Sequence, residues 1–407
     1  MKVPTHILLA GTVAAAVAVG FGCGDCGAAP ESPGELERAD VPEATPDPIG
    51  DERWEEQTAS MRGFGFELLR RARQNRDDQI VMVAPHAAAE MAARLTVGVD
   101  GDSKEDVAGQ LGWPGDGERV HGLLHELNDE FARQGGGDTS YEHLNVLWAD
   151  DTADVDADVL EGLAAYYDDG IHRIGFAEDV EETTRRIDAW LAALSNNRFD
   201  RLIAGQTLPE RPGLVATGIA QFDGRWQYGF DRKEQPVDFR NADGSVDQVE
   251  MMRGDQMYRF ARHRSTLAAA VAYQGANAAF VAMMPTDEDA DFSDWIADFD
   301  ARDFDRVVDA LGGVGGGEVV LPRFEAASTI ALDEHLESTA DAAGADAVVQ
   351  GAYLRVDEFG GRDATDEERQ RHDDSTGPDK VRFDRPFLFA VYDQATETLL
   401  LLGTYGG

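Results

Sequence analysis

The chain has 407 residues, 43% of them hydrophobic and 28% charged, an ordinary globular composition with enough length to bury a sizeable core. Its formal charge of −42 repels phosphate backbones and anionic headgroups, which argues against nucleic-acid binding. The same acidity fits a solvated surface adapted to salt or to high solubility.

Lys2 and His6 precede an apolar run from Ile7 to Phe21 that is short and rich in Ala and Gly, so residues 1–22 read as a targeting segment rather than a membrane span. The junction Gly22-Cys23 resembles a bacterial lipoprotein cleavage site, although Gly20 stands where a Leu is usual. The expectation is export, with the protein either extracellular or held to the cell envelope by a lipid on Cys23. Cys23 and Cys26 form a CxxC, but nothing around them resembles a thioredoxin-type strand and helix. They are the two cysteines of the chain, so the fold carries no disulfide framework and no cysteine-based zinc site. Residues 23–53, dominated by Pro, Glu, Ala, Asp and Gly, read as a disordered tether, with the folded domain occupying 54–407.

Phe64, Leu68, Leu69 and Ala72 recur at helical spacing and predict a helix over Met61 to Arg73. Gln79 to Val83 is a short buried strand stopped by Pro85, and Met91, Ala92 and Leu95 share one face of a helix over Ala87 to Val97. A turn at Asp100 to Ser103 leads into a third helix from Lys104 that ends before Gly112. Further on, Leu144 to Trp148 alternates as a strand, Val159 to Tyr167 is helical, and Leu267 to Tyr273 with Ala278 to Pro285 form a hairpin. Gly313 to Gly317 reads as a flexible connection.

The last fifty residues have an unusual order. A short apolar run, Ala352 to Val356, is followed by Asp357-Glu358-Phe359-Gly360-Gly361 and then by a charge-dense segment from Arg362 to Lys380. Two dense apolar runs, Val381 to Asp393 and Thr398 to Gly403, close the chain as a buried hairpin around a turn at Gln394 to Glu397.

Other chemistry is poorly supported. His121 and His125 lie four apart on a helix without a third ligand nearby, which is an ordinary helix surface rather than a metal site. Asp100-Gly101-Asp102 opens like a calcium loop, but the central Gly and closing Glu do not follow, so it reads as a turn and cap. There is no Gly-x-Ser-x-Gly elbow, phosphate-cradling loop or HExxH motif. Enzyme is therefore the weaker class, and no cofactor or metal is expected.

A series of motifs carries a family resemblance. The block from Phe64 to Trp113, Ile187-Asp188-Ala189-Trp190-Leu191, Phe222-Asp223-Gly224-Arg225-Trp226, Val249-Glu250-Met251-Met252 and Leu321-Pro322-Arg323-Phe324 follow one another in the order found in serpins. The chain resembles that family over roughly its last 350 residues. The resemblance implies an α+β fold of mixed β-sheets with a large central sheet, packed helices and a long exposed reactive loop near the C-terminus. It also implies a monomeric inhibitor of an extracellular serine or cysteine protease. In serpins the loop is cut as bait, and it then inserts as a new strand into the central sheet and distorts the enzyme before the acyl intermediate is released.

Counting from Glu358 with the family's loop length puts the scissile bond at Asp374-Ser375, with Arg369 and Arg371 as alternative cleavage points. The hinge, Glu358, Gly360, Gly361, Arg362, Asp363, Ala364, Thr365, Asp366 and Glu367, departs from the family's run of small residues. If Gly361 faces inward on insertion, so do Asp363, Thr365 and Glu367, and each unpaired buried carboxylate would cost on the order of several kcal/mol. Ala84, Ala87, Gly218 and Gln350 stand where the family places the polar network that governs sheet opening, so that network is expected to be largely missing. The alternative reading is a non-inhibitory binding or surface protein whose charged hinge prevents insertion.

Overall fold

The computed structural model describes residues 30–45, 51–74, 78–99, 107–109, 111–113, 118–134, 138–232, 236–333, 335–361 and 379–407. In chain order, the first half contains β1 (Glu35–Glu37), α1 (Asp51–Arg73), β2 (Ile80–Val83), α2 (Pro85–Thr96), α3 (Glu118–Gln134), β3 (Thr139–Asp150), α4 (Ala157–Tyr167), β4 (Ile171–Ile174), α5 (Val180–Leu194) and β5 (Leu214–Gly224). There follow β6 (Asp231–Arg232), β7 (Val237–Arg240), β8 (Val246–Val249), β9 (Met251–His263), β10 (Thr266–Ala272), β11 (Ala278–Pro285), α6 (Phe292–Asp298) and α7 (Ala301–Ala310). The chain ends with β12 (Gly315–Pro322), β13 (Phe324–Ala331), α8 (Glu337–Ala343), β14 (Ala347–Val356), β15 (Asp379–Arg382), β16 (Phe387–Asp393) and β17 (Thr398–Tyr405).

The strands form a six-stranded sheet in the order β1-β4-β3-β5-β14-β13 and a nine-stranded sheet in the order β15-β12-β9-β10-β11-β16-β17-β2, with β6 added to β9; β7 and β8 pair apart. Alternation along the strands of the first sheet decides its two faces. Val348, Ala352, Leu354 and Val356 of β14 join the main core shared with the second sheet. Ala347, Val349 and Tyr353 point the other way, into a smaller core beneath α5. There Ile187, Trp190 and Leu191 of α5 cover Leu144, Val146 and Trp148 of β3 and Val215 and Ile219 of β5. Helix α2 runs inside the main core, buried from Pro85 to Leu95, and its alanines let β3, β5 and β17 and the helices α1, α3 and α8 approach closely. Pro85 opens that helix where a missing N–H costs nothing, and the same residue ends β2.

Three expectations need correction. Residues 30–45, read as part of a disordered tether, lie along the edge of the first sheet. β1 pairs antiparallel with β4, the Trp190 indole donates to the Pro30 carbonyl at 3.0 Å, Ser32 bonds His172, and Arg173 holds Glu37. The segment has few apolar side chains, but its backbone satisfies an otherwise open strand edge. Gly315, Gly316 and Gly317 are not a flexible connection but part of β12, paired to Tyr258, Met257 and Gln256 of β9. Their ladder is made of backbone groups, which need no side chain. Finally, the run from Val381 to Asp393 is two strands rather than one. β15 pairs parallel with β12, and after Pro386 the chain enters β16 between β11 and β17.

Candidate functional site

Two neighbouring inner strands of the six-stranded sheet, β5 and β14, run parallel. β14 runs beside β5 from Ala347 opposite Val215 to Leu354 opposite Phe222, with no strand between them. The chain that follows β14 leaves from the end of this seam and reappears at β15, on the edge of the other sheet. Residues 362–378 connect the two points. The hinge residues Arg362, Asp363, Ala364, Thr365, Asp366 and Glu367 lie outside the described residues. So do Arg369, Arg371, Asp374 and Ser375 in the same segment, and Cys23 at the other end of the chain.

The described part of the hinge is a tight turn. The Asp357 carboxylate accepts from the backbone N–H groups of Phe359, Gly360 and Gly361 at 2.8, 3.0 and 3.1 Å. Gly360 and Gly361 take φ of +101° and +111°, which side chains disfavour. A Cβ on Gly360 would also come within 2.5 Å of the Gly224 carbonyl oxygen. Trp226 pins the turn from the β5 side. Its indole donates to the Asp357 carbonyl at 2.7 Å and its backbone N–H to that of Phe359 at 3.0 Å. The indole stacks on Tyr273 at 4.4 Å, and burial pushes the Tyr273 phenol well above its ordinary range. Arg323 reaches Glu358 at 3.5 Å and Arg355 reaches Asp357 at 3.0 Å, so both hinge acids face cations. Glu358, Gly360 and Gly361, singled out from the sequence, thus meet at the top of the seam. Sequence reasoning missed the roles of Asp357 and Trp226, although an Asp shortly before two glycines is a turn signal.

Below the hinge, the polar network expected to be missing exists in another form. Gln350 of β14 accepts from the Ala84 N–H at 3.0 Å and donates to the Ala84 carbonyl at 3.1 Å, tying the strand to the start of α2. Asn145 of β3 donates to the Ala87 carbonyl at 3.0 Å. Its Oδ1 fills the place of a side chain at Gly218, where a Cβ would come within 2.4 Å. One helical turn on, the buried Glu90 carboxylate accepts from His143, Asn128 and Arg94 at 2.8, 2.8 and 2.9 Å. Burial pushes its pKa up, but His143 and Arg94 hold it well below the usual carboxylate range.

On the opposite face of the sheet, Arg198 follows the end of α5. It donates to Gln221 at 2.7 Å and to both Asp223 oxygens at 2.9 and 3.1 Å. The guanidinium carbon also lies 3.9 Å from the centre of the Tyr353 ring. Burial, then the hydrogen bond to Glu325, pushes the Tyr353 phenol up to about 12.

His121 and His125 pack against α4 rather than standing on an open helix surface. His121 bonds the Tyr167 hydroxyl at 2.6 Å, and His125 sits 3.3 Å from the Tyr166 carbonyl. Among the described residues, no cluster of three His, Cys, Asp or Glu side chains is arranged to hold a metal ion. The Asp100 turn lies outside the described residues. A turn held by hydrogen bonds to Asp357 thus stands at the end of two directly paired parallel strands.

The family model described as Serpin (serine protease inhibitor) matches residues 59–406. An uncharacterized serpin-like protein of Methanosarcina mazei is 19% identical over 371 residues, covering 84% of each chain. Among solved structures, the thermophilic serpin tengpin in its native state aligns with a TM-score of 0.77 at 19% identity, covering 90% of this chain and 97% of that one. Human thyroxine-binding globulin complexed with thyroxine aligns with a TM-score of 0.75 at 17% identity, over 86% and 98% of the two chains. At these identities the structural likenesses establish the fold alone.

Proposed function

Because the chain belongs to the serpin family, we propose that it inhibits extracellular serine or cysteine endopeptidases, with residues 362–378 as the bait. The observation that supports this reading is the direct parallel pairing of β5 and β14, with the end of β14 leading into the 362–378 segment. A strand entering there from the hinge would run antiparallel to both neighbours. It would exchange one parallel ladder, the weaker kind per residue, for two antiparallel ones. That exchange is a source of free energy stored in the uncut protein, and cleavage of the loop is what would release it. The protease would form its acyl intermediate at Asp374-Ser375, or at Arg369 or Arg371, and insertion would have to outrun hydrolysis of that ester or thioester. Export belongs to the same reading, as does a lipid on Cys23 that would hold the inhibitor at the envelope.

The hinge supports a second reading. If Gly361 faces inward on insertion, Asp363, Thr365 and Glu367 would follow it, and there an apolar residue would gain roughly 1.5–3 kcal/mol whereas an unpaired carboxylate would lose several. If that cost slows insertion enough, the loop is a substrate and the protein is a non-inhibitory serpin-fold binder.

A denaturing gel separates the two. The full chain is mixed with proteases that cut after Arg, Asp and apolar residues. A band at the summed mass that survives boiling is the expected result. Clean loop cleavage with full protease activity remaining would overturn the inhibitor reading and favour the binder.

A further inference from the structure

One guanidinium grips both strands of the seam. Asp223 and Gln221, its hydrogen-bond partners, belong to β5, and Tyr353, the ring beneath it, belongs to β14. Gln221 and Tyr353 are direct partners across the seam. The grip continues outward on both sides. Gln221 donates to Glu142 of β3 at 2.6 Å, and the Tyr353 hydroxyl donates to Glu325 of β13 at 2.8 Å. Four adjacent strands are therefore laced together by side chains through Arg198.

The local sequence places that residue. Asn196 and Asn197 take φ of +53° and +61°, a conformation that Asn adopts more readily than most residues, and they turn the chain back over the sheet after α5. Ser195 donates its hydroxyl to the Leu191 carbonyl and accepts the Phe199 N–H at 3.2 Å, which fixes the turn. The Phe199 ring lies where a side chain at position 351 would be: a Cβ on Gly351 would come within 2.6 Å of it. Arg198 and Asp223 are 17% and 19% exposed, so solvent screens their bidentate pair far less than an open surface pair.

Admitting a strand moves β5 and β14 from neighbouring positions, about 4.8 Å apart, to twice that spacing. Arg198 cannot keep Asp223 and Tyr353 together across the wider gap. We infer that Arg198 is a staple across the β5–β14 seam, whose release sets the rate at which the cut loop enters the sheet. The inference rests on the inhibitor reading, because the rate of entry is what divides trapping from simple cleavage. In this role Arg198 is a positioning residue that touches neither the protease nor the scissile bond.

The test follows insertion without requiring a trapped enzyme. The full-length chain is nicked in the 362–378 segment by a protease, which is then quenched. Insertion is followed by the fluorescence of Trp190 and Trp226 and by the rise in melting temperature of the nicked chain. Arg198→Gln is expected to convert about tenfold faster than the unmodified chain. Arg198→Lys should fall between, because Lys keeps the charge but loses the flat bidentate fork. Tyr353→Leu removes the ring and should match Arg198→Gln, whereas Tyr353→Phe keeps the ring and should stay close to the unmodified rate. The unfolding midpoint of each uncut variant separates a lost staple from general weakening.

Equal conversion rates in Arg198→Gln, Tyr353→Leu and the unmodified chain would overturn the staple while leaving the inhibitor reading intact. Conversion in the variants but not in the unmodified chain would support the staple while overturning the inhibitor reading for the native sequence. If no nicked form ever gains stability, insertion itself fails, and the inhibitor reading and the staple are overturned together.

Discussion

His86 is buried at the start of α2 with its ring edge-on to Phe131 at 5.0 Å and to His143 at 4.9 Å. Its Nδ1 sits 3.4 Å from the Tyr141 hydroxyl, a weak contact. Burial, helped by His143 and opposed by Glu90, lowers its pKa from the usual 6.5 to about 3. A histidine kept neutral in the fold takes up its proton readily once unfolded. Its contribution is therefore complete above pH 6.5 and is lost progressively as the pH falls toward 3. Glu90, held well below the carboxylate range by His143 and Arg94, loses its contribution in the same direction below pH 4.5. His172, also lowered by burial, adds to the slope. Between pH 7 and 4.5 the unmodified chain should lose stability, and His86→Phe should remove up to about 3 kcal/mol of that loss, at about 1.4 kcal/mol per pH unit. Urea midpoints at the two pH values measure it. Parallel losses in the variant and the unmodified chain would show that His86 is not a source of acid sensitivity.

Among the elements, β1 offers the sharpest test. It closes the edge of the six-stranded sheet over Ile171, His172 and Arg173. Its flanks add the Trp190 to Pro30 bond, an Arg186 to Pro33 bond at 2.6 Å and a bond from Ala44 to the Ala165 carbonyl at 2.7 Å. Deleting residues 30–45 should cost about 1–3 kcal/mol and leave β4 as an open edge prone to pair with other chains. Thermal melting with light scattering would read both effects. An unchanged melting temperature without added scattering would mean that the segment merely rests on the sheet. Nothing in its Pro- and Glu-rich composition announced this docking, because Trp190, Arg186 and the backbone of β4 supply the partners. The opposite holds for α1 and α2, whose apolar residues recur at helical spacing, and for the hairpins β10–β11 and β16–β17, whose continuous apolar runs mark strands buried on both faces. Of the candidate site, the start of the hinge is the part that lies among the described residues. Glu358, Gly360 and Gly361 sit together in sequence and stay together in space. The Arg198 lacing joins residues from β3, β5, β13 and β14 that no local pattern connects, and Gln350 does with a backbone contact to Ala84 what a side-chain network would otherwise do.

At the scale of the whole molecule, 78 Asp and Glu stand against 36 Lys and Arg, so most carboxylates have no cation to pair with and repulsion prevails. Exposed pairs such as Arg306 with Asp303 or Arg323 with Glu250 each contribute at most about 1 kcal/mol, and salt weakens them. Screening acts on both terms, but the unpaired excess is the larger. Raising NaCl from about 0.1 M to 1 M shortens the screening length from about 10 Å to about 3 Å, and the melting temperature of the uncut chain should rise. On the proposed inhibitor reading, the same field would draw in a protease with a cationic face and hasten their encounter, so the association rate with such an enzyme should fall over the same salt range. Stability and capture therefore respond to salt with opposite signs if both arise from the net charge. A melting temperature that falls with salt would mean that the surface pairs outweigh the repulsion. An association rate indifferent to salt would place the protease contact away from the acidic field and make the sequence of the 362–378 segment, rather than net charge, the basis of target choice.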